Sequence, residues 1–183
     1  MALIMLVVIS LMAVMSVRNA SSSEGVNANV RQTQLANQAA ETALRYCEDA
    51  VLGLIPTGVS TATFTSSPPA STTVTFSASY IDDFRTTPLS ISTTFWDSTG
   101  SSNPNVILIL PATSVNRLGI TSTFSRSPEC IVERTVPSSA TSTYSKSFNI
   151  TARGFGPEVS AADSTRSRPA GSEVWVQSSL ELN

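Results

Sequence analysis

Apolar side chains fill residues 1–17 almost without a break: only Ser10 and Ser16 interrupt Ala, Leu, Ile, Met and Val, and no charge, Gly or Pro occurs. Such a run is apolar on every side, which predicts a helix that wants a non-aqueous surround rather than one wet face. At about 1.5 Å per residue it rises roughly 25 Å, near the lower limit for crossing a bilayer core. The pattern then changes. Residues 18–52 contain no Pro and one Gly, Gly25, and are rich in Ala, Gln, Asn, Glu and Arg, which suit a solvated helix. From Ala36 the small and apolar positions run Ala36, Ala40, Ala43, Leu44, Cys47 and Val51, a stripe along one side of a helix. The other side carries Gln34, Asn37, Gln38, Glu41, Arg45 and Glu48, with Glu41 and Arg45 spaced as an i,i+4 pair. Gly53 before Leu54, Ile55 and Pro56 predicts a left-handed stop. The expectation is one helix from the N-terminus to about Leu52, roughly 75 Å long, with residues 19–29 (three serines and Gly25) as the stretch where it bends or melts.

Beyond residue 56 the period shifts from helical to alternating. Val74, Phe76, Ala78 and Tyr80 alternate with Thr73, Thr75, Ser77 and Ser79. Phe148, Ile150 and Ala152 alternate with Asn149, Thr151 and Arg153, and Val174, Val176, Ser178, Leu180 and Leu182 with Trp175, Gln177, Ser179 and Glu181. Residues 106–110 are a continuous apolar run between prolines, and residues 129–135 are strand-like. These are signatures of half-buried strands, while residues 66–71 and 163–171 read as loops. An antiparallel sheet packed on the amphipathic part of the helix uses every apolar face named, an α+β fold. The segments are 1–17, an apolar transmembrane or filament-core helix; 18–55, its amphipathic continuation; and 56–183, a β-rich globular domain.

Composition narrows the chemistry. Ser and Thr dominate the body, Lys146 is the only lysine, there is no His, and the formal net charge is −2. A disordered Ser/Thr stalk shares this composition, but the alternation and aromatics such as Phe76, Trp96, Phe148 and Trp175 argue for a core. Without His, Ser-His and Cys-His pairs are excluded, and a seryl nucleophile has only Lys146 as a base. Asp82 and Asp83 are adjacent, so on a strand they point to opposite faces, and a turn or solvated edge is the simpler reading. Gly154-Phe155-Gly156 lacks the rest of a nucleotide loop and reads as a strand-end turn. The sequon at Asn149-Ile150-Thr151 reads as a strand. The eleven basic residues form no stripe, so no nucleic-acid site is visible. No cofactor or metal is called for, and the chain reads as a structural or interaction protein rather than an enzyme.

Three origins fit the apolar start: an intact signal peptide, a plain membrane anchor, or a terminus left after removal of a basic leader. Nothing basic precedes the run and Arg18 follows it, which disfavours the first. Two cysteines, Cys47 on the helix stripe and Cys130 in a strand, are either a disulfide tying helix to sheet or two buried thiols. A bond would close a loop worth up to about 4.5 kcal/mol in the chain-entropy model, and a body outside the cytoplasmic membrane favours it.

At this point the residues resemble a family. The start Met-Ala-Leu-Ile-Met, continued by Arg-Gln-Thr-Gln-Leu-Ala-Asn-Gln-Ala-Ala-Glu-Thr-Ala-Leu-Arg at 31–45, is similar to the N-terminal region of PilX-type minor pilins of bacterial type IV pili. Cys-Ile-Val-Glu-Arg from Cys130, Phe-Asn-Ile-Thr-Ala-Arg-Gly-Phe-Gly from Phe148 and Val-Trp-Val-Gln-Ser-Ser-Leu from Val174 are similar to the family's last strands in the same order; residues 57–128 show no match. The resemblance implies a pilin-like fold and a leader cut by a prepilin peptidase, leaving Met1 as an N-methylated terminus. It implies a filament subunit whose core contacts come from Leu3, Ile4, Leu6, Val7, Val8, Leu11 and Val14. The implied partners are other pilin subunits, the inner membrane before assembly and the pilus assembly machinery. The expected place is an inner-membrane helix with a periplasmic domain, then an extracellular pilus. Adhesion, aggregation, twitching motility or assembly priming are the implied roles. Met5 departs from the family, whose members mostly carry Glu there to pair with a neighbour's terminal amine. A type II secretion pseudopilin and a membrane-anchored periplasmic binding module are the alternatives.

Overall fold

The computed structural model describes residues 2–54, 61–65, 73–77, 86–97, 107–110, 124–135, 146–163 and 166–182. Helix α1 (Ala2–Leu54) takes up 53 residues and rises roughly 80 Å. It passes unbroken through residues 19–29, where a bend was expected. Its end also differs from expectation, since Gly53 and Leu54 remain helical and Gly53 has no positive φ. Burial on the helix stops at Val51, and Leu52 and Gly53 are exposed.

Strands β1 (Thr61–Thr65) and β2 (Thr73–Ser77) form an antiparallel hairpin, with Phe64 opposite Val74. The predicted loop at 66–71 and residues 78–80 lie outside the described residues. A four-residue helix, α2 (Thr93–Trp96), is capped by the Ser92 hydroxyl, which accepts from the Phe95 amide. The main sheet is an antiparallel meander in the order β3 (Leu108–Ile109), β4 (Glu129–Arg134), β5 (Lys146–Phe155), β6 (Glu173–Leu182). Register places Cys130, Ala152 and Val176 abreast, and Glu129, Arg153 and Trp175 abreast on the opposite face.

An N-terminal helix packed on a four-stranded antiparallel sheet makes the fold α+β. The packed faces are the alternating ones. Ala43, Cys47, Ala50 and Val51 of α1 meet Leu108, Cys130, Val132, Phe148, Ile150 and Ala152 in one core, flanked by half-buried Val176, Leu180 and Leu182. Ala36, Ala39 and Ala40 continue the buried stripe towards the N-terminus. Cys47 and Cys130 are bonded across the core with Cα atoms 6.5 Å apart, joining positions 83 apart in sequence for about 4.5 kcal/mol on the entropy model. The Ser178 hydroxyl donates to Glu48 at 2.6 Å, a second tie between helix and sheet, and Glu41 accepts from Asn37 at 2.9 Å.

Gly154 decides how close helix and sheet come. A Cβ there would collide with the Ala36 carbonyl oxygen and the Ala40 amide nitrogen and sit 2.8 Å from the Ala40 Cα. The small residues of the stripe let the backbones touch at this point. Gly154→Ala must push α1 off β5, and urea unfolding should show a loss of about 3 kcal/mol. A midpoint equal to the parent's would disprove the contact.

Among the described residues, no helix is long and apolar enough to cross a membrane.

Candidate functional site

Two features stand apart from ordinary core packing. The first is the free end of α1. Burial of helix residues begins near Ala36, and every described side chain before residue 32 is exposed. Leu3, Ile4, Leu6, Val7, Val8, Leu11 and Val14 are all exposed, from 44% at Val8 to 79% at Leu3. Met1 lies outside the described residues. Isolated exposed apolar residues are commonplace, but a contiguous apolar cylinder in water marks a surface that wants a partner. The groove beside it differs in character. A space of about 720 Å³ lies between α1 and Val174, lined by Asn29, Val30, Thr33, Gln34, Asn37 and Glu41 among others.

The second feature is a cluster of arginines on the sheet face turned away from α1. Arg153 is fully buried, set on β5 directly between Glu129 of β4 and Trp175 of β6. Its Nε donates to Glu129 Oε2 at 3.0 Å, and Nη1 donates to Asp97 Oδ1 at 2.8 Å and Glu173 Oε1 at 3.3 Å. Nη2 donates to the Trp96 carbonyl at 3.0 Å. The guanidinium also stacks within 5.0 Å of the Trp96 ring centroid, 5.1 Å of Phe155 and 5.4 Å of Trp175. Trp96 and Trp175 meet edge to face at 4.9 Å. Each donor direction of the fork is used and the charge is shared by three carboxylates, the arrangement that makes a buried charge tolerable.

Around this hub the 86–97 segment is held against the sheet. Glu133 accepts from the Leu89 and Ser90 amides, and Trp96, Ile107 and Ile131 form a second small core. The 156–172 connection is held by the Gly156 amide donating to Ser172 at 2.9 Å and the Ser172 amide donating to Glu158 at 2.7 Å. Burial pushes the Glu158 carboxyl up, but its hydrogen bonds with Ser172 and its own amide outweigh that and hold it below the usual carboxylate range. This tie is therefore present at neutral pH and is lost only as pH falls below the usual carboxylate range.

Of the residues singled out in sequence, Cys47 and Cys130 are brought together, and the apolar helix residues share one exposed cylinder. Asp82 and Asp83 lie outside the described residues. Asn149 is half-buried on β5 and accepts from the Ser179 hydroxyl at 2.7 Å, while Thr151 is buried, as expected for a strand. Gly154 belongs to β5 rather than to a turn. Arg153, Asp97 and Glu129 were missed as a set. Among the described residues no group of three His, Cys, Asp or Glu side chains is placed to hold a metal ion. No protein-family model matches the chain, and neither a curated protein nor a solved structure matches it.

Proposed function

We propose that this chain is a structural, non-catalytic subunit of a type IV pilus filament that polymerises through its N-terminal helix, in the manner of a PilX-like minor pilin. The observation that carries the reading is the bare apolar end of α1: residues 2–16 are exposed all round while the helix from Ala36 onward is locked to the sheet. Such an end can exchange lipid for the helices of neighbouring copies without passing through water, since both surrounds are apolar. Before assembly the helix sits in the inner membrane, whose local thinning accommodates a short apolar run. The sheet body then faces the periplasm, an oxidising place that suits the Cys47–Cys130 bond. Subunits that repeat head to tail without closing form a fibre. The resemblance at 31–45 and in the three C-terminal strands is the second support, and it brings with it a processed, N-methylated Met1.

The test is to shear and purify surface fibres and to quantify this chain in them by mass spectrometry. The expected result is its presence well below the amount of the bulk subunit. Complete absence from fibres at normal membrane levels would overturn the reading in favour of the anchored binding module. Recovery only with a secretion apparatus would do so in favour of the type II pseudopilin.

A further inference from the structure

We propose that Arg126 and Arg166 form a binding site for a small oxyanion, a carboxylate or a phosphate. The arginine cluster is unevenly compensated. Among the described residues, Arg153, Arg166 and Arg168 pair with the three carboxylates Asp97, Glu129 and Glu173, and Arg126 lies beside them. Arg153 takes all three acids, Arg166 Nη2 lies 2.8 Å from Glu129 Oε1, and Arg168 Nη2 lies 3.9 Å from Glu173. Arg126 has no carboxylate of its own among the described residues.

Yet Arg126 is only 3% exposed. Its guanidinium lies over the Phe155 ring at 4.8 Å and uses one nitrogen, Nη1, to donate to the Ser167 carbonyl at 3.1 Å. Nε and Nη2 are buried with no acceptor. Arg166 adds to the deficit: its Nε has no acceptor, and its Nη2 meets Glu129 as an ion pair outside hydrogen-bond geometry. Burying an arginine with two idle donors and no ion pair of its own is costly, and such groups are rare without a partner. Burial pulls the Arg126 guanidinium below its ordinary value, and the neighbouring Arg153 and Arg166 add to the pull, while Glu129 and Asp97 oppose it.

Two guanidinium groups with free N–H donors are complementary to the paired oxygens of a carboxylate or phosphate. The Arg166 side chain keeps 18% exposure and Ser167 beside it is exposed, so this is the side of the cluster that lies nearest solvent. Held there, the anion would supply the acceptors that Arg126 Nε and Nη2 lack. This inference is independent of the filament reading, because nothing in it involves the projecting helix.

The experiment is thermal unfolding of the full chain in detergent micelles, titrated with sodium phosphate, sodium acetate or sodium chloride at constant ionic strength. The expected result is a saturable rise of about 4 °C at a tenfold excess over the dissociation constant, for phosphate or acetate but not for chloride. A response to both assigns a general oxyanion site; a response to acetate alone assigns a carboxylate, the group borne by protein side chains. Arg126→Gln should abolish the rise and Arg31→Gln, on the exposed helix, should keep it. Equal rises for all three salts, no saturable rise in the parent, or an unchanged rise in a folded Arg126→Gln or Arg126→Lys protein would overturn the site.

Discussion

Replacing Arg153 with Met should lower the stability of the protein by about 3–5 kcal/mol, the range for removing one partner of a buried ion pair. Asp97 would lose its cation, Glu129 and Glu173 would keep only Arg166 and Arg168 at the edge of the cluster, and the Trp96 carbonyl would lose its donor. Met fills a similar volume, so the effect isolates charge and hydrogen bonding from cavity formation. Arg153→Lys should recover only part of the loss, because an ammonium is a point donor and three acids plus a carbonyl need a fork. Thermal unfolding followed by near-ultraviolet circular dichroism reads both effects, since the Trp96–Trp175 pair sits on the guanidinium. A midpoint drop of about 10 °C is expected for Met. A drop below about 2 °C would show that the network contributes little to stability.

Val8→Arg should reduce incorporation into fibres by about 100-fold while leaving the body folded. In the bilayer a single helix lets the arginine snorkel to the surface, whereas neighbouring helices enclose it in a fibre. A cost of about 3 kcal/mol therefore falls on the assembled side, and the ratio of assembled to unassembled subunit falls accordingly. Val8 is the least exposed of the filament-core candidates yet still 44% exposed and touches no part of the sheet core, so folding does not depend on it. Val8→Leu is the control and should assemble normally. Fibre content by quantitative mass spectrometry and the Cys47–Cys130 bond by non-reducing peptide mapping give the two readouts. Normal incorporation of the arginine variant would remove the helix from the assembly mechanism.

The exposed helix and the sheet differ in how plainly the chain announces them. Period 2 at 148–153 and 174–182 identified β5 and β6, because those strands are sorted by a buried helix-facing side and a polar side. The same logic hid Arg153. Alternation with Ile150 and Ala152 assigned it to the polar side, and only pairing with Glu129, 24 positions away, and Asp97, 56 positions away, turns that side into a charged core. No local pattern encodes contacts of that range. Gly154 was read as a turn residue for a related reason: glycine signals chain reversal locally, whereas here it admits a helix that lies more than a hundred residues earlier in the chain.

The placement of the Cys47–Cys130 bond has a mechanical consequence. If a pull is applied along the free end of α1, the load reaches the sheet first at Ala36 and Ala40 beside Gly154, and the helix would peel off turn by turn from there. Peeling stops at Cys47, because the covalent link to β4 carries the tension onward. Unravelling the stretch between Ala36 and Cys47 lengthens the connection by roughly 20 Å, enough to absorb a jolt. Beyond that point the body cannot be stripped from its stalk without breaking a covalent bond or dismantling the strands themselves.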